Sequence, residues 1–439
     1  MKILMLDIYP DVDYRVCKDN NGGFGTGNDL GDTFVSKILK SILKKSIDFP
    51  PLSFVSTMGQ LRKNGYNIIY SREILDAKYD LCILATSIVA HESELQAISK
   101  LKKMNVPVIA IGAFATSLPA PYIDKGAKVI IGEPEFYFFN FNLNKNQIKD
   151  LPDQIFFSHF FTLDDLHYPA WDLVFKYKKP SFSFLSKGHT IPIQASRGCP
   201  YSCSYYCTYP LQQGKKLRYR NTDEVLKEMN FWYETLSVSS FQFRDPVFTI
   251  NKKYTNELCD KIISSKHKFT FAAEFHLKDI DKELALKLKR AGLKIAFVGI
   301  ESSSEEVLMN AKRTTIANDK QAEKISLLEK FGIKVKAMYI FGLPSDDKTT
   351  ISNTIKYALK LNTFFAQFSV FTPYPGTPIY EEYEKKIYQI KFEKFNQWNL
   401  VFKHNNLLPQ DIRKLLGIAY SKYYTNIKWL IKHNIRLLI

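Results

Sequence analysis

No run of 18 or more apolar residues occurs in the 439-residue chain, which excludes a helix able to cross a bilayer unaided. The opening stretch, MKILMLDIYPDVDYR, lacks the basic-then-apolar pattern of a secretion signal and carries acidic residues instead, so a cytoplasmic address is expected. Acidic residues are outnumbered, 44 against 61 Lys and Arg, for a formal net charge of +17. The bases are scattered through KKMNVPV, NKKYTNE and YEKKIYQIKFEK rather than massed in one block. They read as a solvated surface, and a nucleic-acid partner is not expected. A dinucleotide fingerprint is missing too. The four glycines of NNGGFGTGND (Asn20–Asp29) follow no strand at the required spacing, and they read as a mobile loop.

Six cysteines are present, and three of them fall within nine residues of SRGCPYSCSYYCTYP: Cys199, Cys203 and Cys207. In a reducing compartment such a cluster binds metal or does chemistry rather than forming disulfides. Tetrahedral zinc would want a fourth donor, and only His189 lies near in sequence. A 4Fe–4S cluster held by three thiolates would instead leave one iron open to a small molecule.

Around this loop the chain alternates strand and helix. Residues 1–140 hold short apolar runs, KILMLDI, YNIIY, LCILAT, VPVIAIG and KVIIGE, separated by helical patterns. That argues for a Rossmann-like parallel sheet, with ligands beyond the carboxyl ends of its strands. Residues 141–188 read as a connector. Residues 189–385 repeat the βα pattern six times: TIPIQAS, SSFQFR, FTFAAEF, KIAFVGI, IKVKAMYIFG and FFAQFSVF, each followed by a helix or loop. A partial (βα)6 TIM-type barrel is predicted, its chemistry at the strand carboxyl ends. Residues 386–439 form a helical carboxyl-terminal extension. The fold class is therefore α/β.

The cysteine loop resembles that of the radical S-adenosylmethionine (SAM) superfamily, and the resemblance runs on. FRDPVFTINKKYTNELCDKI, EFHLKDIDKELALKLKRAGLKIAFVGIESSSEEVL, GIKVKAMYIFGLPSDDKTTISNTIKYA and FSVFTPYPGTPIYE are similar to the later units of that barrel, in order, over roughly residues 185–385. IGAFATSLPAPYIDKGAKVIIGEPE resembles the end of the cobalamin-binding domain often fused to it. There are two departures. Three residues rather than two separate Cys203 from Cys207, lengthening the loop by at most about 3.5 Å. The Asp-x-His-x-x-Gly motif is absent, so no histidine is expected on cobalt, and His91 is not preceded by the required Asp.

The resemblance implies an enzyme binding a 4Fe–4S cluster, SAM and cobalamin. It would cleave SAM reductively to a 5′-deoxyadenosyl radical for methylation of an unactivated carbon, with ring contraction, cyclisation or oxidation as the alternative. A non-catalytic zinc or iron–sulfur interaction protein is the alternative of another class. Cys199, Cys203 and Cys207 would ligate iron. Tyr206, Asp245, Glu274, Glu301, Ser302 and Gly342 would contact SAM, and Ser87, Gly112, Thr116 and Glu133 the cobalamin tail. The implied partners are a small-molecule or peptide substrate and a reductant such as flavodoxin or ferredoxin.

Overall fold

In a computed structural model, which describes residues 1–156 and 162–433, two parallel sheets follow one another along the chain. The first contains β1 (Lys2–Leu6), β2 (Asn67–Ser71), β3 (Leu81–Ala85), β4 (Val108–Ile111), β5 (Lys128–Ile130) and β6 (Gln154–Ile155), in the order β2-β1-β3-β4-β5-β6. Helices Leu52–Lys63 and His91–Lys103 lie between its strands in sequence. Residues from Ile3 to Leu6 and from Leu81 to Leu84 are wholly buried. That is what a parallel sheet covered on both faces requires, and why its strands read as continuous apolar runs. The edge strand β6 comes from the segment read as connector: Val129 pairs with Gln154 and Ile130 with Ile155.

The second sheet contains β7 (Thr190–Ile193), β8 (Ser240–Phe243), β9 (Thr270–Phe275), β10 (Leu293–Glu301), β11 (Lys334–Phe341) and β12 (Phe365–Val370), paired in chain order and all parallel. Its helices start at identifiable caps. Asn221 caps Thr222–Leu236, and Asp281 accepts from Leu284 N at the start of Lys282–Ala291. β7 and β12 do not pair, so the barrel is open on one side. A two-stranded unit spans that gap, Ile47–Asp48 pairing with Ser181–Phe182. Ser181 bridges to His189 beside β7, and the Phe184 ring meets Phe365 of β12 at 4.8 Å. Helix Phe34–Lys44 packs beside it against the carboxyl-terminal helix Pro409–Tyr424, which covers β12. Among the described residues no helix is long and apolar enough to cross a membrane.

Candidate active site

The cysteine loop leaves the carboxyl end of β7 and is pinned at its root. Ser196–Arg197 pairs antiparallel with Arg218–Tyr219. Gly198 has φ +90°, and a Cβ there would stand 2.1 Å from the Lys216 carbonyl oxygen, so only glycine fits. Asp245 belongs to this root. Its carboxylate accepts from Ser196 Oγ (2.6 Å) and Ala195 N (3.1 Å), and burial raises its pKa to about 6. It turns away from the barrel mouth, contrary to the role the resemblance implied for it, while its neighbour Arg244 lines the mouth.

The extra residue before Cys207 is absorbed by a tight turn. A short 3-10 helix runs Ser202–Tyr205, and both Tyr206 N and Cys207 N donate to Cys203 O, at 3.0 and 2.9 Å. Cys203 and Cys207 thereby stand one helical turn apart with their thiols hydrogen-bonded to each other. That hydrogen bond, helped by the Arg313 guanidinium, brings the Cys203 thiol down to about 7 against the opposing effect of burial. Cys199 and Cys203 are buried, and Cys207 is half-buried at the cavity wall. Among the described residues no three His, Cys, Asp or Glu side chains converge where a single metal ion could sit. His189 lies at the opposite end of β7, packed on Phe175. This speaks against tetrahedral zinc. Three thiols with no fourth protein donor suit a four-iron cluster, which takes each thiolate on a separate iron.

The loop opens on a cavity of about 1140 Å³ at the barrel mouth, lined among others by Tyr206, Cys207, Arg244, Glu274, Glu301 and Lys336. Tyr206 packs edge-on against Phe371. Glu274 accepts from Tyr209 OH at 3.0 Å, and burial raises its pKa. Glu301 has φ +61° at a bulge in β10, an uncommon conformation for a non-glycine residue and one that concentrates at functional sites. Its Oε1 lies 3.4 Å from Arg313, and Gly299 makes room for both, since a Cβ there would stand 2.5 Å from that oxygen.

Two further expected SAM contacts are not in the cavity wall. Ser302 is buried and faces Thr354 (3.3 Å), because the bulge at Glu301 turns the chain. Gly342 packs toward Ile412 and Leu400, and its N–H donates to Asp346. Arg313, Arg244, Tyr209, Lys336 and Arg15 are not among the site residues expected from the sequence.

Ser87, Gly112, Thr116 and Glu133 do gather at the carboxyl edge of the first sheet, but each is committed internally. Ser87 donates N–H and Oγ–H to Glu94 (3.2 and 3.1 Å), and Thr116 Oγ1 accepts from Gly132 N (3.1 Å). A Cβ at Gly112 would stand 2.9 Å from Thr86 Oγ1. Glu133 pairs with Arg197 (2.5 Å) and Arg218 (2.7 Å) of the cysteine-loop root, tying the two sheets together.

The glycine-rich segment, read as a mobile loop, instead fills the crevice. Phe24 is wholly buried against Phe114 and Tyr374, and its carbonyl accepts from Ile88 N. A Cβ at Gly25 would stand 2.7 Å from Val89. At one end Lys18 is buried on Glu94 (2.9 Å) and Asp7 (3.5 Å), and beside it Asp19 pairs with Arg244 (2.7 Å).

Residues 193–358 match the family model described as the Radical SAM superfamily. Residues 193–358 form a radical SAM domain. Among curated proteins, this chain is 28% identical over 274 residues to an uncharacterized methyltransferase of Pyrococcus horikoshii, covering 62% of this chain and 58% of that one. It is 30% identical over 238 residues to the bacteriochlorophyllide d C-12(1)-methyltransferase of Chlorobaculum tepidum, covering 52% of each. The chain thus spans about half the length of the curated relatives it matches. Its fold is similar, at TM-score 0.66 and 13% identity, to that of the radical SAM methyltransferase TsrM from Kitasatospora setae with cobalamin and a [4Fe-4S] cluster bound, covering 96% of this chain and 88% of that one.

Proposed function

We propose that the barrel holds a 4Fe–4S cluster on Cys199, Cys203 and Cys207 with SAM at its open iron, and that the enzyme methylates an unactivated carbon. The observation that carries this is the three-thiol turn, without a fourth protein donor among the described residues, opening on a mouth lined by Arg244, Glu274, Glu301 and Tyr206. When bound, the cluster and SAM supply one-electron cleavage of the sulfonium and a 5′-deoxyadenosyl radical. The chain's own residues bind and orient. Glu274 and Glu301 offer carboxylate acceptors to the ammonium and ribose hydroxyls of SAM, Tyr206 an aromatic edge, and the walls exclude water from the radical. Asp245 positions the loop rather than touching SAM.

Methyl transfer is supported by the methyltransferase relatives, and a cobalamin by the structural neighbour that contains one. Residues Asn20–Gly27 pack at the carboxyl edge of the first sheet, with Phe24 wholly buried and Gly25 against Val89, where the resemblance would seat the cobalamin tail. The chemistry also requires an external one-electron donor such as a flavodoxin or ferredoxin. The test is anaerobic incubation of the cluster-reconstituted, reduced enzyme with SAM. The expected result is 5′-deoxyadenosine and a change in the reduced cluster's electron paramagnetic resonance on adding SAM. Absence of both refutes the proposal. Methyl-labelled SAM, with and without added cobalamin, reads the transfer separately.

A further inference from the structure

A second cavity, of about 730 Å³, lies on the open side of the barrel and is almost wholly apolar. Leu39 and Leu43 of helix Phe34–Lys44, Phe184, Phe297, Ala366 and Tyr424 wall it. It shares Arg15, Lys336 and Gln367 with the mouth cavity, so these side chains stand at the junction of an apolar chamber and the site beside Cys207.

Among the described residues neither cation there makes an ion pair, and Glu274 acts on Lys336 only as a more distant negative charge. Arg15 is buried, yet its hydrogen bonds go to neutral oxygens, Asn28 Oδ1 at 2.9 Å and Ser46 Oγ at 3.4 Å. Lys336 makes no hydrogen bond or ion pair with any described residue, and its Nζ lies 5.4 Å from the Phe297 ring centroid. Arg15 is buried and Lys336 half-buried, and charge withdrawn from water is costly unless paired, so the junction suits a small anion.

We propose that the substrate is an amphiphile: a small carboxylate or phosphate head between Arg15 and Lys336, with its apolar chain in the lateral cavity. This deepens the proposed function and rests on it for the reaction, but not for the binding. Burial lowers the Lys336 pKa to about 7, with Arg15 next and Arg244 acting in the same direction, and Glu274 and Cys17 opposing. Below pH 7 the lysine is charged, so anion binding tightens as pH falls from 8 to 6.

The test uses the full chain without SAM, titrated with 11-(dansylamino)undecanoate and followed by fluorescence. Saturable binding is expected, displaced by dodecanoate or dodecyl phosphate, whose ranking identifies the head group. Dodecyltrimethylammonium, of equal chain length, should compete at least tenfold less well. Lys336→Met should weaken binding at least tenfold and flatten its pH dependence, and Ala366→Trp, which fills the chamber, should abolish it. Arg15→Met is the second head-group variant should Ala366→Trp fail to fold. Equal competition by the cationic amphiphile, or unchanged binding by the folded Lys336→Met and Arg15→Met proteins, overturns the proposal. Probe binding requires neither cluster nor SAM, so failure to cleave SAM and failure to bind the probe are read independently.

Discussion

Lys18→Met should unseat the glycine-rich segment, and its cost can be worked from the geometry. The Lys18 ammonium is wholly buried, 2.9 Å from Glu94, 3.5 Å from Asp7 and 3.0 Å from the Ala85 carbonyl. Glu94 also accepts from Ser87 N, Ser87 Oγ and Tyr122 OH, but Lys18 is the largest influence opposing the upward push of burial on its pKa. Methionine matches the aliphatic stem and removes the charge, leaving two carboxylates facing each other in a dry site. Breaking a buried pair from one side costs about 3–5 kcal/mol. For a domain of this size that corresponds to a melting-temperature loss of roughly 6–20 °C. In the variant Glu94 titrates well above its unfolded value, so the native state holds a proton that the unfolded state releases. The deficit is therefore largest above neutral pH and shrinks as pH falls toward 5. Differential scanning calorimetry at pH 8 and pH 5.5 reads both effects. The double variant Lys18→Met/Glu94→Gln, with one fewer orphaned charge, should recover much of the loss. A shift below about 2 °C at pH 8, or a deficit that does not shrink with acid, would refute the argument that this buried triad anchors the segment.

Alanine at Cys199, Cys203 or Cys207 should each abolish the cluster's visible absorption and reduce 5′-deoxyadenosine formation below detection; a variant that keeps both is not missing an iron ligand. Gly198→Ala places a Cβ 2.1 Å from the Lys216 carbonyl at φ +90°, so the protein should lose most of its bound iron even where it folds, checked by iron analysis against circular dichroism. Deleting Asn21–Gly25 should open the crevice and strengthen cobalamin uptake, measured by spectroscopic titration; unchanged uptake would mean that the segment does not guard it. Asp346 accepts from Gly342 N, Leu343 N and Thr350 Oγ1, and burial raises it to about 6. Its native state binds the proton more tightly than its unfolded state, so stability falls as pH rises from about 4 to about 6, by at most roughly 3 kcal/mol. Asp346→Asn should remove that part of the slope and leave the profile above pH 6.5 parallel to that of the unaltered enzyme.

Both sheets were legible because parallel strands covered on both sides must be apolar along their whole length, as LCILA and VIAI are. The metal loop was legible because three thiols in nine residues is a rare local pattern. What sequence could not supply was the direction of a side chain at a strand's end. Asp245 follows Phe243 by two residues and Arg244 by one, and neighbouring residues point to opposite sides, so one enters the mouth and the other the loop root. Ser302 was misplaced for a related reason, since the bulge at Glu301 breaks the alternation. The glycine run suggested mobility, but one phenylalanine within it supplies enough apolar surface to seat it.

The cation at the cavity junction, by contrast, did leave a signal in the sequence. In a barrel wrapped by helices the outer face of each strand is the apolar one, and the inner face near the mouth is free to be polar. In β11 the odd residues Val335, Ala337, Tyr339 and Phe341 are buried, and the even ones, Lys336, Met338 and Ile340, reach the cavity. The alternation in KVKAMYIF therefore places Lys336 inside the barrel on pattern alone. What only the fold could add was its companion, Arg15, brought to the same point from more than 300 residues away by a segment that closes the barrel's open side.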